Sequence, residues 1–211
     1  AGAGRRGAKA SFFLAGVALA GLWREGLNSL SMYHLVNIGS NIEPRENVPR
    51  VLEALLGLSP RVALSRIIQT PPEKLADDGG PFLNLTAAFE CGLEPDALKQ
   101  HFNALERQLG RDREDPQRGQ RSRPADVDIL FSWKSLPGQI APTSIPEESY
   151  VRATLPELLD FLGVRHGLNV LTPGPAVSVK VRGQKVGGQT GRLVWLDGEE
   201  ALVFDKQDAT L

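Results

Sequence analysis

The sequence predicts an α+β fold in which helices pack on one face of an antiparallel sheet. Two observations lead to it: short stretches show the two-residue alternation of strands, and longer stretches show apolar residues at helical spacing. They follow the order strand, helix, strand, strand, helix, strand, over residues 34–38, 47–57, 61–69, 82–90, 95–109 and 126–131. Two split β-α-β halves in this order form a ferredoxin-like βαββαβ sandwich.

The ends of the two helices are marked by residues that favour such positions. In the first helix, Asn47 is the predicted N-cap and Gly57 the predicted stop. In the second helix, Pro95 lies near the start and Gly110 follows the last turn.

The C-terminal third predicts a separate, smaller unit. After residue 131 the pattern weakens to a loop and a partly helical stretch over 150–162. Three short strands separated by glycine-rich turns follow, over residues 177–182, 192–196 and 201–204. We therefore expect a main domain over 32–163 and a small C-terminal β-rich extension over 164–211, either docked on the core or used in self-association.

The first 31 residues do not fit the domain. Basic residues precede an apolar run, 11–23, that is too short to span a bilayer. Because Met32 is the only methionine and a strand pattern begins directly after it, residues 1–31 are interpreted as a non-native or mis-called extension. A signal peptide cleaved at Ala18-Leu19-Ala20 and an amphipathic anchor are the alternatives.

Composition excludes some classes of function. The 211 residues carry a net charge of −1, so the chain lacks the global basic field of a nucleic-acid-binding protein. The single cysteine, Cys91, excludes an internal disulfide framework and indicates a reducing compartment such as the cytoplasm. The sequence has no Walker-type phosphate loop and no metal-type Cys/His spacing.

The candidate chemistry is concentrated in residues 110–130, where an arginine-rich loop leads into a strand. Asp126 and Asp128 share one face of that strand because side chains alternate. Two such carboxylates can hold one or two Mg²⁺ ions, and guanidinium groups bind phosphates bidentately. The combination predicts phosphoryl transfer from a nucleotide. A solvated loop and a chance D-x-D pair are the alternative interpretation.

A second candidate site lies on the strand at 82–90. One face of this strand is apolar, and the other carries Phe82, Asn84 and Thr86. An aromatic ring beside an amide can bind a flat heterocycle by stacking and hydrogen bonding. An edge aromatic with a capping asparagine explains the same residues without a ligand.

Five motifs together resemble the 6-hydroxymethyl-7,8-dihydropterin pyrophosphokinase family. They are N-I-G-S-N (37–41), T-P-P (70–72), F-L-N (82–84), E-R-Q-L-G-R (106–111) and R-P-A-D-V-D-I-L (123–130), in the family's order and spacing. The resemblance covers roughly residues 33–131. It implies the same sandwich fold and the transfer of pyrophosphate from ATP to the pterin hydroxymethyl group, which gives AMP in folate biosynthesis.

The resemblance also implies a role for individual residues. The expected ligands of two Mg²⁺ ions are Asp126 and Asp128, and the expected catalytic set adds Arg111 and Arg123. The expected pterin-binding residues are Thr70, Pro71, Phe82 and Asn84. The expected nucleotide-binding residues are Glu106, Arg113, Arg118, Arg121 and Ile129. The implied partners are ATP and dihydropterin, without nucleic acid or membrane, and we expect a monomer or small homo-oligomer.

The chain departs from the family pattern at four places, one of which is Glu73, where an apolar residue is common. Residues 119–123 stand where the family has Trp-Gly-Pro-Arg, and Pro146-Glu147 stands where it has Pro-His. Thr154 stands near the expected second stacking aromatic, for which Tyr150 and Trp133 are candidate substitutes. The aspartate pair and the F-L-N strand are intact.

Two further hypotheses remain open. One is a paralogue that binds a pterin or nucleotide without efficient turnover. The other is a ferredoxin-like nucleic-acid module that uses the arginine loop, although its sheet face would then carry two aspartates. Mg²⁺-dependent ATP binding that is lost in Asp126→Asn favours the enzyme, whereas salt-sensitive binding that ignores this change favours the nucleic-acid module.

Overall fold

The computed structural model describes residues 31–72, 75–76, 79–168, 174–196 and 201–205. The strands among them are β1 Met32–Ser40, β2 Arg61–Leu64, β3 Ile68–Thr70, β4 Phe82–Cys91, β5 Asp126–Trp133, β6 Val179–Val181, β7 Gln184–Val186, β8 Gly191–Leu196 and β9 Ala201–Asp205. The α-helices are α1 Pro44–Leu58, α2 Pro95–Gln108 and α3 Ser149–Phe161. The predictions for residues 1–30 lie outside the described residues.

One antiparallel sheet organises the fold. Its strand order is β5-β1-β4-β2-β8-β9, and β3 also pairs with β4. The first β-α-β half is β1-α1-β2 with β3, and the second is β4-α2-β5, so β1 and β4 lie side by side at the centre. This is the predicted ferredoxin-like βαββαβ sandwich.

Helices α1 and α2 cover one face of the sheet. Leu85 and Phe89 of β4 are fully buried against them, as the alternation in β4 predicts. Burial of each such side chain contributes about 1.5–3 kcal/mol. The helices contribute to the same core Val48, Val51, Leu52, Leu55, Leu98 and Phe102.

Helix α3 packs on the opposite face, so the expectation of helices on one face only is wrong. Its Leu155 and Leu158 form a second core with Leu35 of β1 and Ala88 of β4. Ala88 pairs with Ala63 in the neighbouring strand, and two such small side chains let a helix approach the sheet closely. Asn84 of β4 and Asp126 of β5 lie beyond this second core, where both pair with Gly39 of β1.

Two local predictions need correction. Helix α1 begins at Pro44 and not after Asn47, because Pro44 has the preset φ of a first helical residue and Asn47 instead donates to the Ile42 carbonyl at 2.7 Å. The predicted strand 61–69 is two strands, β2 and β3. Between them the Ser65 N–H still bonds the Thr86 carbonyl at 3.0 Å, but the Thr86 N–H is accepted by Ser65 Oγ at 3.0 Å in place of a backbone carbonyl.

The C-terminal strands continue the main sheet. Strand β8 pairs with β2, β9 pairs with β8, and the β6–β7 hairpin packs on α1. Val181 and Leu193 from this region belong to the core under α1 and α2. Among the described residues, no helix has the length and apolar character needed to cross a membrane.

Candidate active site

Strand β5 presents the two aspartates on the sheet face opposite α1 and α2. Asp126 pairs with Gly39 of β1, and Asp128 pairs with Asn37. Val127 between them points the other way and is fully buried in the core. Strand β5 is an edge strand of the sheet, so α2 and the arginine loop can reach the aspartates from its outer side.

Asp126 lies in a network of ion pairs centred on Glu106. The Glu106 side chain is fully buried, and it accepts the Val127 N–H at 2.8 Å and Arg111 Nη1 at 2.8 Å. Arg113 Nη1 also donates to it. Arg111 Nη1 in turn donates to Asp126 and to the Ala125 carbonyl, the latter at 3.2 Å. Glu106 thus positions the arginines and the strand and lies beneath the surface that a ligand would contact.

The turn after α2 brings Arg111 back to this network. Gly110 has φ of +99°, a left-handed conformation that favours glycine, and it follows the C-cap residue Leu109. The Arg111 N–H then bonds the Glu106 carbonyl at 2.9 Å. A side chain at position 110 would strain this turn and displace Arg111.

Burial and charge act in opposite directions on these groups. Burial raises the pKa of the Glu106 carboxyl, against the Val127 N–H and the two arginines, which favour the charged form. Burial alone would lower the pKa of Arg111, but attraction to Asp126 and Glu106 outweighs it and raises that pKa. The arginine therefore stays charged beside the candidate phosphate site.

Arg123 links the two halves of the site. Its Nη1 donates to Asp126 Oδ2, and its guanidinium carbon lies 5.6 Å from the ring centroid of Phe82. Its backbone is fixed by Asn41, whose Oδ1 accepts the Arg123 N–H at 2.7 Å. Asn41 Nδ2 also bonds Ser122 Oγ at 2.9 Å. The N-I-G-S-N motif therefore anchors the end of the arginine loop.

Asp128 has a different partner that sequence reasoning missed. Lys99 of α2 donates from Nζ to Asp128 Oδ1 at 2.9 Å and to the Val127 carbonyl at 3.0 Å. The signal was present, because Lys99, Phe102 and Glu106 share one face of α2 at i, i+3 and i+7. The core and network contacts of Phe102 and Glu106 place that face against β5.

The other half of the site lies across Gly39. Asn84 pairs with Gly39 on one side of β1, while Asp126 pairs with it on the other. Asn84 Nδ2 donates to Thr70 Oγ1 at 2.7 Å, which fixes the orientation of the amide. A Cβ on residue 39 would lie 2.9 Å from Asn84 Oδ1, so only glycine leaves that oxygen in place. Pro71 is exposed directly after β3.

Two polar atoms are buried between the halves. Asn37 Oδ1 and Thr86 Oγ1 have no hydrogen-bond partner among the described residues. Asn37 pairs with Thr86 on one side and with Asp128 on the other. A buried polar atom of this kind is usually satisfied by an ordered water.

The ion-pair network around the two aspartates does not include the other three expected nucleotide-binding residues. Arg121 pairs with Asp115 at 3.3 Å on the loop surface, and Arg118 is exposed in a short 3₁₀ turn. The Ile129 side chain packs against the core, on the face opposite Asp128. Of these three residues, only the two arginines present a polar side chain to solvent.

The departures from the family pattern have structural counterparts. Thr154 is buried in α3, where its hydroxyl donates to the Tyr150 carbonyl at 3.0 Å. Glu147 is exposed. Burial, Glu148 and the two aspartates raise the pKa of Tyr150 to about 12, so this phenol stays protonated. Trp133 stacks on Phe131, with ring centroids 5.0 Å apart.

The donor set fits Mg²⁺ bound together with phosphates. Among the described residues no group of three or more His, Cys, Asp or Glu side chains could hold a metal ion. A Mg²⁺ ion in a nucleotide-dependent enzyme, however, takes only one or two carboxylates and completes its shell with phosphate oxygens and water. The two oxygen-donating side chains on one face of β5 meet that requirement.

An antiparallel α+β sandwich with paired carboxylates, buried arginines and a neighbouring amide has the components of a phosphoryl-transferring enzyme. The family model for 7,8-dihydro-6-hydroxymethylpterin-pyrophosphokinase (HPPK) matches residues 35–159, and the chain belongs to this family. The family is one of diphosphokinases that use ATP as co-substrate and act in folate synthesis. A comparison with curated proteins gave no match.

Proposed function

We propose that the protein transfers pyrophosphate from ATP to 6-hydroxymethyl-7,8-dihydropterin, giving AMP and the pterin diphosphate. One observation carries the proposal: Gly39 separates the Asn84–Thr70 pair from Asp126 by a single strand. A pterin held by Asn84 would have its hydroxymethyl group near phosphates held at Asp126 and Asp128. The nucleophile then belongs to the substrate, and the chain supplies positioning and charge.

Asn84 would recognise the pterin through an amide of fixed orientation. Because Nδ2 is bound to Thr70, Oδ1 faces Gly39 as an acceptor. The pterin's amidine edge offers N–H donors in one plane with its ring, which match such an acceptor. Phe82, beside Asn84 on the same strand, would stack on the ring, and Pro71 would border the site.

The arginines would hold the phosphates in line. Arg111 and Arg123 each have Nη1 on Asp126, which directs both guanidinium groups towards the aspartate pair. Arg123 Nε and Nη2 bond the Arg121 and Gly119 carbonyls, and these loop contacts would be exchanged for phosphate oxygens. Formation of AMP requires the hydroxymethyl oxygen to attack the β-phosphorus while the bond to the α-phosphate oxygen breaks. Arg113, Arg118, Arg121 and the edge of β5 at Ile129 would complete the nucleotide site.

Asp126 and Asp128 would hold two Mg²⁺ ions. When bound, Mg²⁺ would neutralise the charge of the phosphates and so favour nucleophilic attack on them. We also propose a cytoplasmic location, since the single cysteine is buried and free, and expect a monomer or small homo-oligomer.

A paralogue that binds without turnover is the second candidate. It is favoured by Thr154, which is buried inside α3 where a second stacking aromatic is expected, and by the exposed Glu147 in place of histidine. The active-enzyme proposal therefore requires another residue, such as Tyr150, to complete the pterin site.

The test is nucleotide analysis after incubation of the full chain with ATP, Mg²⁺ and the dihydropterin. Pterin-dependent AMP that is lost in Asp128→Asn supports the proposal. ADP would indicate ordinary kinase chemistry. If folded protein gives neither nucleotide, yet calorimetry detects binding of the pterin or ATP, the paralogue hypothesis is favoured.

A further inference from the structure

The ion pairs around the site contain more cations than carboxylates. Four cationic side chains, Arg111, Arg113, Arg123 and Lys99, pair with the three carboxylates Glu106, Asp126 and Asp128. Three of the cations act on Glu106 and Asp126. Lys99 stands apart, because its ion pair is with Asp128 alone.

We propose that Lys99 is a positioning residue that competes with divalent cations for Asp128. This inference rests on the proposed function, in which Asp128 is a metal ligand. The ammonium of Lys99 lies 2.9 Å from Asp128 Oδ1, on an oxygen that a cation would coordinate. A metal ion that binds Oδ1 must displace Lys99 from it, and one that binds Oδ2 alone lies beside the Lys99 ammonium and is repelled by it.

The geometry allows this exchange at small cost. The side chains of Lys99 and Asp128 are 37% and 52% exposed, so water can replace the broken ion pair. Lys99 also donates to the Val127 carbonyl at 3.0 Å, a backbone atom that does not move with the Asp128 side chain. Lys99 can therefore release Asp128 and keep its second partner.

The remaining ammonium would still repel a free cation nearby. A metal that arrives with the phosphates of a nucleotide brings compensating negative charge, and a free metal ion does not. Lys99 would thus weaken the binding of free metal and favour metal that enters with the nucleotide. In this role Lys99 selects for metal that is already bound to the nucleotide.

The test measures Mn²⁺ binding to the full chain without nucleotide, by calorimetry and by electron paramagnetic resonance of free Mn²⁺. Lys99→Met should bind Mn²⁺ roughly two- to five-fold more tightly than the wild type, as expected for loss of an exposed ion pair. Lys99→Arg, which keeps the charge, should resemble the wild type. Lys134→Met removes a charge from an exposed lysine just beyond β5 and should leave the affinity unchanged.

Three outcomes would overturn the inference. Unchanged or weaker Mn²⁺ binding in Lys99→Met would show that Lys99 does not compete, while pterin-dependent AMP in the wild type would leave the proposed function standing. Equal tightening in Lys134→Met would assign the effect to net charge. Wild-type Mn²⁺ binding that is indifferent to Asp128→Asn would remove both the inference and the metal role of Asp128. Thermal melting of each variant shows that the compared proteins are folded.

Discussion

Asp126 and Asp128 stand two residues apart on the same strand face, yet the protein holds them differently. Asp126 is 24% exposed and is paired with two arginines whose side chains are 9% and 13% exposed. Asp128 is 52% exposed and is paired with a single lysine. The two carboxylates of the D-x-D motif are therefore not equivalent: one is fixed by two buried arginines, and the other has a single, partly exposed partner.

The largest expected effect is on catalysis, and it should not distinguish the two aspartates. Asp126→Asn and Asp128→Asn should each lower pyrophosphoryl transfer by on the order of 10²–10³-fold, because each removes a charge that balances the phosphates. The measurement is kcat from AMP formation. A variant that retains more than a tenth of wild-type activity would remove that aspartate from the metal site.

The two aspartates should differ in how much they contribute to the free energy of unfolding. Asp126→Asn leaves two buried arginines with a weaker partner and should lower the free energy of unfolding by about 2–3 kcal/mol. Asp128→Asn breaks an exposed ion pair and should cost below about 1 kcal/mol. Urea denaturation of both variants measures the difference. Equal losses would show that the network around Asp126 is no more rigid than the Lys99 pair.

Glu106 extends the comparison to the centre of the network. Glu106→Gln keeps an acceptor for the Val127 N–H but leaves Arg111 and Arg113 without their shared charge, so it should lower stability by about 3 kcal/mol. The matched control is Asp115→Asn in the same loop, which breaks the exposed pair with Arg121 and should cost under about 1 kcal/mol. A Glu106→Gln protein as stable as the control would contradict a positioning role.

The pterin half should respond in substrate affinity alone. Thr70→Val removes the acceptor that orients the Asn84 amide, and it should raise KM for the dihydropterin by roughly ten-fold with little change in KM for ATP. Gln69→Ala, at an exposed neighbour in β3, is the control. If both KM values rise together, the change has disturbed the sheet and the assignment of Asn84 is unsupported.

The smallest expected effect is on pH dependence, through Tyr150. Burial and the nearby carboxylates raise its pKa from 10.0 to about 12, so the folded state keeps the proton in a range where the unfolded state loses it. This stabilisation is complete below about pH 10 and is lost as the pH rises towards 12. Between about pH 8 and pH 11, the wild type should lose about 1 kcal/mol more than Tyr150→Phe.

Absorbance titration provides a direct check. Tyr33→Phe leaves Tyr150 as the only tyrosine, and its phenol should titrate well above 10. An ordinary midpoint near 10 would mean that Tyr150 does not experience the field of the aspartate pair.

The fold could be predicted because each of its main helices and strands follows from a local sequence pattern. The alternation in β4 and the apolar stripes of α1 and α2 depend on neighbours in sequence, and the element order then selects the sandwich. Two of the errors involve partners far along the chain, whereas the misplaced start of α1 is local. Ser65 uses its hydroxyl as the acceptor for the Thr86 N–H, and α3 closes on the second face, where Ala63 and Ala88 are small.

The candidate site shows the same division. The motifs indicated Asp126, Arg123 and Asn84, because their chemistry is visible in residue type and spacing. The ion pair at Asp128 was not visible, since Lys99 lies 29 residues away and meets it only when α2 packs on β5. The role of Glu106 as a buried support, and not a surface contact, likewise depends on a turn that only the structure shows.

The measurement that tests the central claim most directly follows the phosphorus atoms. Phosphorus NMR of the wild type with ATP, Mg²⁺ and the dihydropterin should show the β and γ phosphorus atoms of ATP moving together to the pterin while AMP appears. Asp126→Asn and Asp128→Asn should leave the ATP spectrum unchanged. Transfer of the γ phosphorus alone with ADP as product, or unchanged ATP with folded wild-type protein, would contradict pyrophosphoryl transfer at this pair of carboxylates.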